Sequence, residues 1–170
     1  MRTNAENLLG SLIGKAPWSV WNGMSSVLVF EFGRKRRGMI GSEGTFSLWV
    51  DMANWVIRKR GKETASSDCS RDKIVSAARN LERKKLTGIT LKKYIDKKRN
   101  IFGVLLRFAD RNALDAIMLL DKKTSTDVIL KLYTPTQILQ FTSDGELTLK
   151  KLKQEKVTPR VLVRIRKAGR

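Results

Sequence analysis

The chain has 170 residues, with 35 Lys+Arg against 16 Asp+Glu and no histidine, for a formal net charge of +19. A surface this positive attracts phosphate backbones, anionic lipid heads or acidic proteins. The missing histidine removes the commonest general base near neutral pH and the commonest metal ligand. Composition therefore favours binding over catalysis, and neither a cofactor nor a metal is expected. The apolar fraction of 41% suffices for a sizeable core. The length suits one domain, or two small lobes sharing a core. The single cysteine, Cys69, excludes an internal disulfide and fits a reducing compartment. Residues 1–7 show no basic segment followed by a long apolar run, so no signal peptide is expected. The apolar runs near Val27–Phe32 and Val104–Phe108 are far short of the roughly 20 residues that cross a bilayer. A cytoplasmic protein without integral membrane association is the expectation.

The first predicted element is a short helix over residues 7–13, with Leu8, Leu9, Leu12 and Ile13 on one face and Gly14 and Pro17 ending it. Trp18 and Val20 read as a strand, Asn22-Gly23 as a hairpin turn, and residues 27–32 as a strand. Leu28, Phe30 and Phe32 share one face and Val27 and Val29 the other, which predicts burial on both sides. A basic, glycine-rich loop follows from Gly33 to Gly44. Phe46-Ser47-Leu48-Trp49-Val50 and Trp55-Val56-Ile57-Arg58 then alternate as antiparallel strands. Residues 59–70 read as a polar loop. Asp68 or Ser70 caps a helix over residues 71–83, whose buried stripe is Ile74, Ala77, Ala78 and Leu81.

Strands return after Gly88, with Ile89-Thr90-Leu91, Tyr94 and Ile95, a basic turn over residues 96–100, and an apolar strand over residues 104–108. Residues 112–120 fit strand or helix equally. Residues 128–133 and 137–142 read as strands, and Ser143-Asp144-Gly145 as a turn. The order is helix, meander, helix, meander, which predicts an α+β protein of mainly antiparallel β-meanders, with two similar halves sharing one core. The domain is placed at residues 1–150, with weak repeats at 7–60 and 71–149 and a basic strand or arm at 151–170. In this alignment Leu28–Gly33 lies on Val104–Ala109, Phe46–Val50 on Val128–Leu132, and Trp55–Ile57 on Gln137–Leu139.

The charge falls mostly on predicted turns. Arg34-Lys35-Arg36-Arg37 lies in the glycine-rich loop, and Arg58, Lys59, Arg60 and Lys62 follow the next strand. Lys97, Lys98 and Arg99 form a turn, and Arg164 and Arg166 lie in the tail. Arginine forks bind phosphate oxygens in a bidentate way, and glycine neighbours let the backbone approach closely. In a meander, successive turns alternate between opposite edges of the sheet, so adjacency of the first two clusters requires loops that bend together. Alternation sets Trp49 against the face of Phe46, Leu48 and Val50, which suits an interface or a base-stacking platform. Asp68 with Glu82-Arg83-Lys84 loosely mimics the acidic pair and lysine of a metal-dependent nuclease, but the helical context of Glu82 fails that motif.

The pattern Gly14…Trp18…Leu28-Val29-Phe30-Glu31-Phe32-Gly33…Phe46-Ser47-Leu48…Trp55, closing with Leu132-Tyr133-Thr134-Pro135 and Asp144-Gly145, resembles small bacterial cytosolic proteins of the immunity type. That resemblance implies a compact α+β domain that neutralises a toxin by binding it, and it supplies no active-site residues. The sequence thus predicts a non-enzymatic nucleic-acid-binding protein that contacts RNA or DNA phosphates through basic loops. The alternative is an immunity-type or phage-defence accessory module with an acidic protein partner.

Overall fold

A computed structural model describes residues 3–23, 27–37, 42–51, 53–96, 99–117 and 128–152. Chain order is α1 (Asn4–Gly10), β1 (Ser19–Asn22), β2 (Leu28–Phe32), β3 (Arg36–Arg37), β4 (Ser42–Glu43), β5 (Phe46–Val50), β6 (Asn54–Lys59) and β7 (Lys62–Ser66). It continues with α2 (Arg71–Arg79), β8 (Leu86–Asp96), β9 (Arg99–Phe108), β10 (Asn112–Ile117), β11 (Val128–Tyr133), β12 (Gln137–Thr142) and β13 (Leu147–Lys151). The fold is α+β and dominated by antiparallel meanders, as the sequence predicts.

A six-stranded sheet has the order β1-β2-β5-β11-β12-β13, a five-stranded sheet the order β7-β6-β10-β9-β8, and β3-β4 form a small ribbon. All the pairings are antiparallel. The two sheets bury their facing sides in one apolar cluster, to which both helices contribute. Phe30 of the first sheet stacks on Phe108 of the second at 5.7 Å, and Phe102 meets Phe141 edge-on at 6.5 Å. Burying each of the Phe30, Phe108 and Phe141 rings contributes roughly 1.5–3 kcal/mol. All five residues of β2 are buried, the carboxylate of Glu31 included.

Several elements differ from their sequence reading. Helix α1 starts at Asn4 because Thr3 and Glu6 form a capping box: each backbone N–H donates to the other's side chain, at 2.7 and 3.2 Å. Helix α2 buries Ile74, Ala77 and Ala78 as predicted, but its regular turns end at Arg79 and Leu81 is buried just beyond. Ser70 occupies the N-cap position without a side-chain bond. The supposed polar loop after Lys59 contains β7, which turns back on β6 through Arg60-Gly61. Only Ala65 of β7 faces the core, so the strand lacks the apolar alternation that would announce it. Residues 112–117 are strand, with Leu114 and Ala116 pointing inward. Residues 118–120 lie outside the described set.

The strand order repeats. Each half supplies a helix, a three-stranded meander, and a crossover to a hairpin in the opposite sheet. Meander β1-β2-β5 adjoins hairpin β11-β12, and meander β8-β9-β10 adjoins hairpin β6-β7. Strand β13 is an addition. Topology therefore matches β5 with β10 and β6 with β11, one strand away from the alignment read from sequence. That alignment skipped residues 112–117 because their period was ambiguous.

Candidate nucleic-acid interface

Two tight turns of the five-stranded sheet lie side by side. Strands β6 and β7 join through Lys59-Arg60-Gly61-Lys62, with φ of 52° at Arg60 and 80° at Gly61. Strands β9 and β10 join through Asp110-Arg111, with φ of 59° and 58°. Positive φ at both central positions matches the right-handed twist of a hairpin. The Arg60 N–H donates to the Arg111 carbonyl at 2.8 Å, tying the turns together. The α2–β8 connection lies alongside, where the Ala109 N–H donates to the Lys85 carbonyl at 2.8 Å.

A cavity of about 670 Å³ opens between these three segments, lined by Lys59, Arg60, Asn80, Lys84, Asp110, Arg111 and Asn112. It gathers four cations and one carboxylate. Lys59 and Lys62 also stand directly opposite across the hairpin, a like-charged pair that destabilises a sheet. Holding these charges together costs electrostatic energy that a bound anion would release. Asp110 offsets part of it through a direct ion pair with Lys84. The hydrogen bond and charge of Lys84, aided by Arg60 and Lys59, hold the Asp110 carboxyl below the usual carboxylate range. The unfolded chain therefore takes up this proton first. The pair's contribution is complete above the ordinary Asp range and fades as pH falls through the lower folded value. Asn112 is buried, and its amide donates to the Ala109 carbonyl at 2.8 Å, which fixes the wall of the cavity.

Of the residues singled out in the sequence, Lys59 and Arg60 line this cavity, and exposed Lys62 sits on the same turn. Arg111 was not among them, and Lys84 stood out only within basic or nuclease-like runs of its own segment. They lie on separate segments and join the cluster only through the fold. Arg58 differs from expectation: it points to the outer side of the five-stranded sheet and pairs with Asp115 at 3.7 Å, which Lys92 also approaches at 3.2 Å. Its charge is therefore partly neutralised. Arg58, Asp68 and Asp115 border a second cavity of about 290 Å³. Glu82 has a structural role: its carboxylate accepts the Val20 N–H of edge strand β1 at 3.0 Å.

The Arg34–Arg37 loop forms part of the β3-β4 ribbon. Arg34 and Arg37 are exposed. Arg36 donates to the Gly44 carbonyl at 3.2 Å and lies 3.9 Å from Glu43. Lys35 lies 4.6 Å from the Trp18 ring centroid in a cation–π contact. A run of contacts connects this loop to the cavity. Next to Trp18, the Pro17 carbonyl accepts the Arg83 N–H at 2.7 Å, and the segment from Arg83 to Lys85 borders the β9–β10 turn. The backbone of residues 83–85 thus links the Pro17 segment to the β9–β10 turn. Arg99 opens β9 opposite Asp96. Lys97, Lys98, Arg164 and Arg166 lie outside the described residues.

Trp49 is half-buried on the outer side of the six-stranded sheet. It meets Trp21 edge-on at 6.1 Å and Tyr133 at 5.3 Å, and its Nε1 is buried without a hydrogen-bond partner. Neighbours on both sides leave Trp21, at 38% exposure, as the more accessible ring of this group. Beside it, Lys131 pairs with Asp51. Among the described residues, no three Asp, Glu, Cys or His side chains converge to hold a metal ion, and no helix is long and apolar enough to cross a membrane. No family model, curated protein or solved structure matches the chain.

Proposed function

We propose that this protein binds nucleic acid without chemically altering it, using the cationic end of the five-stranded sheet and the adjoining 34–37 loop to contact phosphates. The observation that carries this reading is the convergence of Lys59, Arg60, Lys84 and Arg111 on one cavity with a single opposing carboxylate. Phosphate contacts of this kind fix position without reading bases. Binding should therefore be weakly selective for sequence and fall steeply with salt. The test is a salt series against random RNA and random duplex DNA, on protein stripped of nucleic acid by a high-salt wash. Saturable, salt-sensitive binding to either is expected. Protein that ignores both at moderate salt would overturn the reading.

A second reading rests on the Trp21, Trp49 and Tyr133 group, because clustered aromatics suit a protein interface. An immunity-type or phage-defence accessory role would then involve an acidic protein steered by the same cations. Recovery of one stoichiometric acidic protein in a pull-down, with no nucleic-acid binding, would favour it.

A further inference from the structure

We infer that the cavity between the two turns is a phosphomonoester site, and that Asp110 occupies it as a built-in competitor for Lys84. The inference rests on the proposed nucleic-acid function and deepens it: the favoured ligand is a strand end carrying a terminal phosphate.

The cations reach the cavity from three separate segments. Lys59 and Arg60 come from the β6–β7 turn, Lys84 from the α2–β8 connection, and Arg111 from the β9–β10 turn. An internal phosphodiester can enter such a cavity, but with one charge and two free oxygens it uses only part of the set. A convergent set suits one compact, highly charged group. Lys59, Arg60, Lys84 and Arg111 against Asp110 leave three uncompensated positive charges in one space. A phosphomonoester carries about 1.5 to 2 negative charges at pH 7, whereas an internal phosphodiester carries one. Arginine forks and lysine donors can bond its extra oxygens at the same time.

The site also holds an internal anion. The Asp110 carboxylate bonds Lys84 directly, and Arg60 and Lys59 lie within its electrostatic reach. That carboxylate occupies the donor a phosphate would use. A ligand must exchange it, so weakly charged groups are disfavoured and dianionic ones gain. The backbone at Asp110 is left-handed, with φ of 59°, a conformation that asparagine adopts readily. Asp110→Asn therefore removes the competitor while preserving the turn.

The experiment measures binding of one single-stranded sequence in three forms, with a 5′-phosphate, a 3′-phosphate or hydroxyl ends, and of inorganic phosphate alone by titration calorimetry. At least one phosphorylated end is expected to bind about tenfold tighter than the hydroxyl form, and Lys84→Met or Arg111→Asn should erase that advantage. Asp110→Asn should raise affinity for the phosphorylated strand about three- to tenfold. The gain should be markedly smaller on a Lys84→Met background, where only the weaker hold on Arg60 and Lys59 is released. Asp68→Asn makes the same change in net charge beside the other cavity and should do nothing. Circular dichroism checks that each variant folds.

Equal binding of all three strands together with no phosphate binding would overturn the monoester site and leave backbone binding standing. Binding of inorganic phosphate that depends on Lys84 and Arg111, with no strand bound, would uphold the site, identify a free small phosphate as its ligand, and remove the nucleic-acid reading. No binding of any probe would overturn both. An equal gain from Asp68→Asn and Asp110→Asn would overturn the competitor role.

Discussion

Glu31 is a buried carboxylate, 2% exposed, in the middle of the most apolar strand. It accepts the Gly44 N–H at 2.7 Å and the Ser47 hydroxyl, and so pins the base of the basic 34–37 loop against β5. Gly44 is required there because an added Cβ would come within 2.4 Å of the Phe32 carbonyl oxygen. Replacing Glu31 with alanine leaves two buried donors unpaired, and each orphaned group costs about 1–3 kcal/mol. Glu31→Ala is therefore expected to lose about 2–4 kcal/mol in urea unfolding, and Glu31→Gln less, because an amide oxygen still accepts. A loss under about 0.5 kcal/mol for the alanine variant would contradict this account of the loop. In sequence, Glu31 reads only as a charged interruption between Phe30 and Phe32. Its partners lie 13 and 16 residues away, beyond any local period.

Turns decide both the fold and the site. Arg60 and Arg111 are held in the left-handed region, where residues with a Cβ carry a strain of roughly 1–2 kcal/mol. Asparagine relieves that strain and removes the charge. Arg60→Asn and Arg111→Asn are thus expected to leave the melting temperature unchanged or slightly raised while weakening phosphate binding. Thermal unfolding and anisotropy on the same preparations separate the two effects. A parallel fall in both would mean that the arginines serve the fold. The sequence shows Arg60-Gly61 as a basic, glycine-bearing stretch, but β7 is polar on nearly every position and gives no strand signal. Without β7 there is no hairpin to place Arg60. Asp110-Arg111 has the same problem from the other side, because the period of β10 fits helix and strand equally and only the burial of Leu114 and Ala116 separates them. Trp49 was correctly set apart from Leu48 by alternation. That Trp21 and Tyr133 flank it depends on four strands pairing across the sheet.

At the scale of the molecule, the described residues form two sheets whose strand order repeats between halves, and basic residues gather on the turns at one end of the second. The α+β class, the meanders and the inward stripe of α2 were legible because they follow from local periodicity. The convergence of basic residues was not. Residues 60, 84 and 111 approach through a connection and two hairpins, and the charge runs that stand out in sequence include Arg58, which Asp115 and the opposite sheet face divert. The central claim is that the cavity cations, and not net charge alone, bind phosphate. The most direct test compares the salt dependence of single-stranded RNA binding for two variants. One removes Lys59, Arg60, Lys84 and Arg111. The other removes four exposed cations elsewhere: Arg71, Lys93, Lys150 and Lys151. Each phosphate charge neutralised on a single strand contributes about 0.7 to the slope of log K against log salt, and the cavity takes one terminal phosphate of about 1.5 to 2 charges, so on end-phosphorylated RNA the cavity variant is expected to be shallower by about 1 to 1.5. The control should keep a slope near that of the unaltered protein. Equal slopes for the cavity variant and the unaltered protein, or an equal loss in both variants, would contradict the account.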